Sequence, residues 1–393
     1  MQSTICILGR QPALGLAELE STFGPEVIRP IGDSSVEVSV DPKTFELSRL
    51  GGTIKAAKLL TILDTTDWRK LVTYVIKSMP DHLPLIPEGK IRLGLSVYGL
   101  NVPVRDIHSA GLAIKKSITV SGRSARVVPN KLPELNSAQI IHNQLTGPTG
   151  LELLFIRDGD KTFLAQTTQI QDIAGYSERD YGRPMRDAKI GMLPPKLAQI
   201  IINLATGGVD KASLLDPFCG SGVIVQEALL MGHHAFGTDL DQRMVDYANQ
   251  NIKQLIEKST KALSTKIYKA DATTANWSDL KINTIAAETY LGKPLHSTPP
   301  PGLLRELIEQ AEKLHRKTLE NIASQTKPGF RLCLAIPAWK TGRNFVHLPL
   351  LDDLENLGYT RLSFAHADSR DLIYYRDSQF VGRELVVLIR KKD

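Results

Sequence analysis

The stretch Leu214-Leu215-Asp216-Pro217-Phe218-Cys219-Gly220-Ser221-Gly222 restricts this fold more than any other. It reads as a short apolar strand that ends at an acid and breaks into a Gly-rich turn. The turn then runs into the amphipathic helix Val223 to Met231. A strand, a tight turn and a helix N-terminus make a pocket for a nucleotide-like ligand. Gly220 and Gly222 carry no Cβ, so the backbone can approach that ligand closely. A Gly-x-Gly alone is a weak signal. The acid directly before Pro-Phe-Cys-Gly-Ser-Gly makes it specific.

The residues around this stretch alternate in the manner of a doubly wound α/β sheet. Leu193-Pro194-Pro195 opens a helix that runs to about Ala205, since Pro is tolerated in a first turn. Strands are expected at Ser213–Asp216, His234–Thr238, Lys266–Ala270, Thr284–Ala287, Arg331–Ile336, Arg361–Ala365 and Glu384–Ile389. Helices are expected at Val223–Met231, Gln242–Glu257, Gly302–Ser324 and Val346–Leu357. The last two strands follow each other with no long helix between them, which suits an antiparallel edge.

Two further acids fall where ligands bind in open α/β sheets, at the carboxyl ends of strands. Asp239 follows the second strand and can accept both hydroxyls of a ribose, with Leu240 beside it. It also suits a helix N-cap, a place that Asp241 fills equally well. Asp271, in Lys269-Ala270-Asp271-Ala272, ends the third strand and can accept from an exocyclic amino group of adenine. A carboxylate at Asp216 disfavours a pyrophosphate and favours a cationic amino-acid group. The pattern therefore points to S-adenosylmethionine rather than a dinucleotide. No metal is called for.

The 393-residue chain is long enough for two or three domains, at roughly 100–200 residues each. Its 42% hydrophobic and 23% charged residues suit a globular protein. A net charge of +6 and a pI near 9.0 favour an anionic partner such as nucleic acid. Cys6, Cys219 and Cys333 lie far apart, with neither zinc nor disulfide spacing, so a reducing cytoplasm is expected. Neither a signal peptide nor a membrane span is expected.

Ahead of the sheet, the order of elements suits a small α+β region. Strands are expected at Ser3–Leu8, Val36–Val40, Ile54–Ile62 and Ile91–Tyr98, and a hairpin over Leu151–Ile156 and Lys161–Gln169. Helices are expected at Ala13–Phe23, from Asp41-Pro42 towards Leu50, at Asp67–Lys77 and at Val104–Thr119, with a Pro-containing connection from Pro80 to Lys90. Lys115, Lys116, Arg123 and Arg126 suit phosphate contacts. They equally suit a solvated helix face whose basic end complements the helix dipole. His108 reads as a surface residue. Tyr176 to Asp187 is charged and irregular, and reads as a linker or a functional loop in which Arg179, Arg183 and Arg186 can hold phosphate.

Several motifs resemble those of THUMP-containing RNA methyltransferases. They are Leu8-Gly9-Arg10 with Leu16-Ala17-Glu18-Leu19, Leu50-Gly51-Gly52-Thr53-Ile54-Lys55, Ser96-Val97-Tyr98-Gly99, Gly111 to Lys116 and Leu135-Asn136-Ser137-Ala138-Gln139. The family also has a segment similar to Asp180-Tyr181-Gly182-Arg183-Pro184 before its catalytic domain. Asp216 to Gly222 looks like motif I of amino-methyltransferases acting on nucleic acids. Leu372 to Arg376 with Val381-Gly382-Arg383-Glu384 resembles the end of the THUMP-type tRNA guanosine-10 N2-methyltransferases. The resemblance implies a Rossmann-like class I methyltransferase domain at 192–393, after a linker at 171–191. A ferredoxin-like subdomain at 1–65 and a THUMP-like RNA-binding domain at 66–170 would precede it. It implies S-adenosyl-L-methionine as cofactor, held by Asp216, Pro217, Phe218, Cys219, Gly220, Ser221, Gly222, Asp239, Leu240, Asp271 and Ala272. The implied substrate is a tRNA base, with guanine N2 as the acceptor, and an accessory protein is left open.

One departure bears on catalysis. Where this family carries Asp-Pro-Pro-Tyr after the fourth strand, the chain reads Glu288-Thr289-Tyr290-Leu291. Glu288 aligns with the acid that receives the target amino group, and Tyr290 is displaced by one residue from the stacking position. Lys293 to His296 can line the target pocket. The expectation is an active variant using Glu288 and Tyr290. The rivals are a silent RNA-binding protein, a DNA amino-methyltransferase and, more weakly, a nicotinamide-dependent oxidoreductase.

Overall fold

The computed structural model describes residues 3–186, 192–258, 265–293, 295, 297–342 and 344–392. By contacts the chain divides into two compact units. The first comprises Met1–Pro12, Glu26–Ser48 and Thr53–Ile173, and the second comprises Ala13–Pro25, Arg49–Gly52 and Ala174–Asp393. No helix among the described residues is long and apolar enough to cross a membrane.

A single eight-stranded sheet organises the first unit. Its spatial order is Ile28–Ile31, Ser35–Val38, Thr4–Leu8, Thr53–Leu63, Lys161–Ile170, Gly150–Asp158, Ile91–Tyr98 and Ala125–Val127. The sheet runs through both 1–65 and 66–170 without a break. Helices Trp68–His82 and Val104–Val120 cover it with Leu71, Val75, Ile107 and Ile114, all buried against Leu93, Leu95 and Phe155. Asp67 caps the first of these helices by accepting from the N–H groups of Arg69 and Lys70.

Two expectations fail here for identifiable reasons. The helix does not stop before Pro80 but runs on to His82. Pro80 has no N–H for the carbonyl of Ile76, and Ser117 Oγ donates to that carbonyl instead, at 3.2 Å. No helix forms from Asp41 towards Leu50. The Asp41 carboxylate turns the chain by accepting from Lys43 N at 2.8 Å. The Gln169 side chain then takes up Phe45 O and Leu47 N, groups that a helix ladder needs. Only a short 3₁₀ turn, Leu47–Arg49, remains.

The second unit is the doubly wound sheet. Its order is Thr265–Lys269, His234–Asp239, Ser213–Asp216, Thr284–Glu288, Arg331–Thr341, Val381–Arg390 and Tyr359–Arg361. The first five strands are parallel, and Val381–Arg390 runs antiparallel to both neighbours, as expected for the edge. Helices Pro195–Thr206, Val223–Leu230 and Gln242–Lys258 bury Leu197, Ile201, Ile224, Ala228 and Ala248 against one face. Helix Pro301–Gln325 covers the other with Leu319 and Ile322.

Three local readings change. The segment after 173 is not irregular throughout, because Ile173–Tyr181 is a helix. No helix spans Val346–Leu357. Asn344–Val346 instead folds back on Trp339–Thr341 as a hairpin, and Pro349–Asp352 is a single 3₁₀ turn. The edge strand is Tyr359–Arg361, placed earlier than Arg361–Ala365.

The helix Pro12–Phe23 sends Leu14 and Ala17 into the core that holds Leu197 and Ile201. Glu18 is fully buried there. It accepts from Gly51 N at 2.9 Å, Gly52 N at 2.8 Å and Asn203 Nδ2 at 2.7 Å. A Cβ at Gly51 would lie 1.9 Å from the carbonyl oxygen of Lys196. Gly51 is thus required by close packing against the helix of Lys196, and Gly52 by packing against Gly15, whose Cα a Cβ there would meet at 2.5 Å. Burial pushes the Glu18 carboxyl up to about 7, against the pull of its three donors.

Candidate active site

Asp216 ends the strand Ser213–Asp216 and is buried under the turn that follows. Its Oδ1 accepts from Phe218 N at 3.0 Å. The turn runs through Gly220 at φ +50° and Gly222 at φ +87°, left-handed values that suit glycine. Gly220 N donates to Asp239 Oδ2 at 2.8 Å, and Cys219 N donates to Thr238 O at 2.9 Å. The turn is therefore laced to the neighbouring strand. Pro217 is buried, Phe218 packs on the core from its rim, and the Cys219 thiol is buried and pushed up by burial, so it is inert packing.

Asp239 does not stand free, as expected from Asp241 capping the next helix. Asp241 does receive Arg243 N, but Asp239 is itself engaged with Gly220 N and Asp241 N. These bonds fix the shape of the turn, and Leu240 beside it is 65% exposed. Asp271 lies past the end of Thr265–Lys269. It accepts from Thr273 N and Thr273 Oγ1, which lower its pKa. Ala272 is buried beneath it.

Glu288 ends the strand Thr284–Glu288, and Arg383 Nε donates to its Oε1. Arg383 is buried and comes from the antiparallel strand Val381–Arg390, next to the edge. Burial raises the Glu288 pKa and the Arg383 charge lowers it again. Asp216 is raised well above the usual carboxylate range, first by burial and further by the charges of Asp239 and Glu288. Three carboxylates thus crowd one strand-end region, an arrangement that a bound cation relieves.

Thr289 replaces the rigidity of a Pro-Pro turn by hydrogen bonds. Its N–H donates to Ala335 O at 3.0 Å, a bond proline cannot make. Its hydroxyl lies 2.6 Å from His315 Nε2. His315 Nδ1 faces the carbonyl of Ala311 at 2.6 Å, so Nδ1 carries the proton. Burial lowers the His315 pKa, which leaves Nε2 as the acceptor of the Thr289 hydroxyl. Tyr290 is 50% exposed, free to meet a planar ligand, and Gly292 takes φ +88°. Pro294 and His296 of the following loop lie outside the described residues.

The basic residues separate into two groups. Arg123 is spent inside the first unit, on the carbonyls of Leu83, Ile86, Pro87 and Gly89. Arg179 is spent inside the second, where its Nε donates to buried Glu227 at 2.8 Å. Each already satisfies groups that burial would otherwise leave unpaired, Arg123 through both Nη atoms and Arg179 through Nε. Lys116, Arg126 and Arg186 are exposed and Lys115 is partly so, with Arg186 stacked 5.0 Å from the Tyr181 ring.

Arg183 is different again. Its side chain is only 3% exposed, its Nη1 lies 3.5 Å from Ser221 Oγ, and its Nε has no partner. Asn251 binds both Met185 and the carbonyl of Ser221, so the segment around Arg183 is fastened against the Gly-rich turn. Arg383, His315 and Asn251 escape a reading of motif I and the Glu288 segment. Arg383 alone had a signal, lying in the Val381-Gly382-Arg383-Glu384 stretch. A histidine and an asparagine within long helices carry no pattern of their own.

Comparison with known proteins fits this geometry. Residues 183–348 match the family model described as UPF0020, RMKL-like, methyltransferase domain. These residues are similar to that methyltransferase domain. The chain is 32% identical over 149 residues to a tRNA (guanine(10)-N2)-dimethyltransferase of Methanothermobacter thermautotrophicus, covering 37% of this chain and 39% of that protein. It is 29% identical over 163 residues to the Pyrococcus abyssi protein of the same name, covering 41% of each. The chain thus spans about two fifths of the length of the curated relatives it matches. Among solved structures, TrmN from Thermus thermophilus superposes with a TM-score of 0.52 at 16% identity, covering 99% of this chain and 100% of that one. SMU.472, a methyltransferase structure complexed with SAH, gives 0.51 at 13% identity, covering 100% of this chain and 98% of that one. At these identities the likeness establishes the fold, a Rossmann-like class I methyltransferase sheet preceded by an α+β region.

Proposed function

We propose that this chain is an S-adenosylmethionine-dependent methyltransferase that modifies an exocyclic amino group of a tRNA base, with guanine N2 as the acceptor. The observation that carries the reading is the crowding of Asp216, Asp239 and Glu288 at neighbouring strand ends, beside a Gly-rich turn. The names of the partial relatives supply the substrate class. S-adenosylmethionine, when bound, supplies an electrophilic methyl group. Asp216 offsets the positive amino-acid end of that cofactor. Arg183, buried with Nη1 beside Ser221, Nη2 paired with Asp180 and Nε without a hydrogen-bond partner, suits the cofactor's carboxylate better than an RNA phosphate. Asp239 and Asp271 suit the ribose and the adenine, with Leu240 and Ala272 flanking them.

At the acceptor side, Glu288 accepts a hydrogen bond from the target amino group and aims its lone pair. Arg383 favours the ionised form of Glu288 by opposing the effect of burial, which still raises its pKa. Tyr290 offers its exposed ring to the flipped base. Positioning of this kind supplies most of the rate. The amino-terminal region, read as ferredoxin-like over 1–65 and THUMP-like over 66–170, grips the RNA, with Lys115, Lys116 and Arg126 as phosphate contacts. The linker lies at 171–191 and the catalytic domain at 192–393.

The test uses purified full-length protein, labelled S-adenosylmethionine, and unmodified tRNA or duplex DNA. The expected product is a methylated guanosine in digested tRNA. Transfer to DNA alone would turn the reading into a DNA amino-methyltransferase. Cofactor binding without transfer to either would leave a silent RNA-binding protein.

A further inference from the structure

The chain beyond Glu288 and Arg383 carries a feature that the chemistry above does not use. The strand Arg331–Thr341 continues past Ala335, the partner of Glu288, and turns at Gly342 (φ +64°) into Asn344–Val346. In this hairpin Lys340 stands opposite Phe345. Phe345 packs against Tyr375 with ring centroids 5.1 Å apart, and Lys340 Nζ lies 5.4 Å from the centre of the Tyr375 ring. All three side chains keep part of their surface in solvent. The neighbouring Arg376 is exposed.

This cluster has a defined place relative to the reacting groups. Lys340 is three residues beyond Pro337, the register partner of Arg383, so it lies roughly 10 Å further along the strand. Tyr374 stands opposite Arg383, and Tyr375 is the next residue. Gly382, next to Arg383, makes room for the cluster, since a Cβ there would come 2.9 Å from Phe345 Cε1. Successive residues of a strand face opposite sides. Phe345 therefore lies on the other side of the ribbon from the Glu288–Arg383 pair, at the same rim.

We propose that Phe345, Tyr375 and Lys340 form a stacking platform for a nucleotide next to the target base in a single-stranded RNA segment. The inference rests on the RNA-methyltransferase reading and deepens it. Aromatic rings accept any base through its π-face, and a lysine beside them matches the phosphate that follows. Tyr375 is level with Ala338, three residues or roughly 10 Å beyond Ala335, the partner of Glu288, and this offset suits a neighbouring nucleotide of an extended strand rather than the target itself. The platform thus contributes affinity for single-stranded RNA with little preference for base identity.

The test compares Phe345→Leu, Tyr375→Leu and Tyr375→Phe in the full chain. Leucine keeps apolar packing and removes the π-face, whereas Tyr375→Phe keeps the ring. Binding of a fluorescent single-stranded oligoribonucleotide is measured with cofactor affinity and thermal midpoint. Each leucine variant is expected to weaken RNA binding roughly 5- to 150-fold, the range for one stacked base. Cofactor affinity and midpoint should hold, and Tyr375→Phe should bind as wild type. Lys340→Gln is expected to lower the slope of log K against log salt by about 0.7. Unchanged RNA binding in both leucine variants, with tRNA methylation intact, overturns the platform and leaves the enzymatic reading standing. Failure of wild-type protein to bind any RNA overturns both. A fall in midpoint that accounts for the whole loss assigns the cluster to hairpin packing and also overturns the proposal.

Discussion

The Gly-rich turn and the Glu288–Leu291 segment both sit at strand ends of one sheet, yet they are built in different ways. The turn is shaped largely by its own backbone, with left-handed glycines and Asp216 answering Phe218 N two residues away. The Glu288 segment is shaped by side chains from far along the chain. Arg383 reaches it across 95 residues, and His315 reaches Thr289 across 26. A locally built site shows as a motif. A site held from a distance leaves residues that look like departures from one.

This contrast orders the expected losses. The largest belongs to Asp216→Ala, which removes the buried charge that offsets a cationic ligand. Loss of one partner from a buried pair costs about 3–5 kcal/mol. Cofactor affinity should fall by two to three orders of magnitude, as read by calorimetry. Binding within about threefold of wild type would break the claim that the turn recognises a cation. The wild-type affinity should also weaken as pH is lowered, starting above the ordinary carboxylate range, because Asp216 is raised and must be ionised to bind.

The next effect belongs to Arg383→Met. Arg383 lowers the Glu288 pKa against burial, so its removal moves the acid limb of the kcat–pH profile upward. The expected loss in kcat near neutral pH is about 10- to 100-fold, with partial recovery as pH rises. A profile of unchanged shape would mean that Glu288 does not act in its ionised form. Thr289→Val is milder. It leaves His315 Nε2 buried without a donor, a cost of about 1–3 kcal/mol. The thermal midpoint should fall, and cofactor affinity should hold within about threefold because the turn is built independently. A Thr289→Ser variant, which keeps the hydroxyl, should recover most of the midpoint.

Much of this was legible in the residues, and what was not has a common cause. Asp216, Asp239 and Asp271 follow strands whose apolar runs are bounded by turn residues, so their places could be read locally. The antiparallel pairing of Val381–Arg390 near the sheet edge followed from two strands without an intervening helix. The failures occurred where a distant group satisfies a backbone atom. Ser117 serves the carbonyl that Pro80 releases, and Gln169 takes the groups that would have made a helix after Asp41. Arg123 and Arg179 looked like phosphate ligands because charge is visible in a sequence and its intramolecular partner is not. Motifs of the amino-terminal resemblance divide between the two units, since Glu18, Gly51 and Gly52 belong by contacts to the second.

That last cluster yields the smallest effect and the sharpest sign. Burial raises the folded-state pKa of Glu18 from 4.5 to about 7. Between those values the native protein holds a proton that the unfolded chain has released. Stability therefore declines as pH rises from about 4.5 to 7 and levels off above. Glu18→Gln removes the titration, so the midpoint of the variant should change less with pH across that window. The variant also sacrifices some acceptor capacity, since Gly51 N, Gly52 N and Asn203 Nδ2 all donate to the carboxylate and an amide has one oxygen. It should be least stable relative to wild type at low pH, where the wild-type carboxyl is protonated and pays no burial penalty, and should gain on it as pH rises. An identical pH slope in both proteins would show that the three donors hold Glu18 ionised. The helix Pro12–Phe23 would then be docked by a buried carboxylate, built from a distance in the manner of Glu288 rather than of the Gly-rich turn.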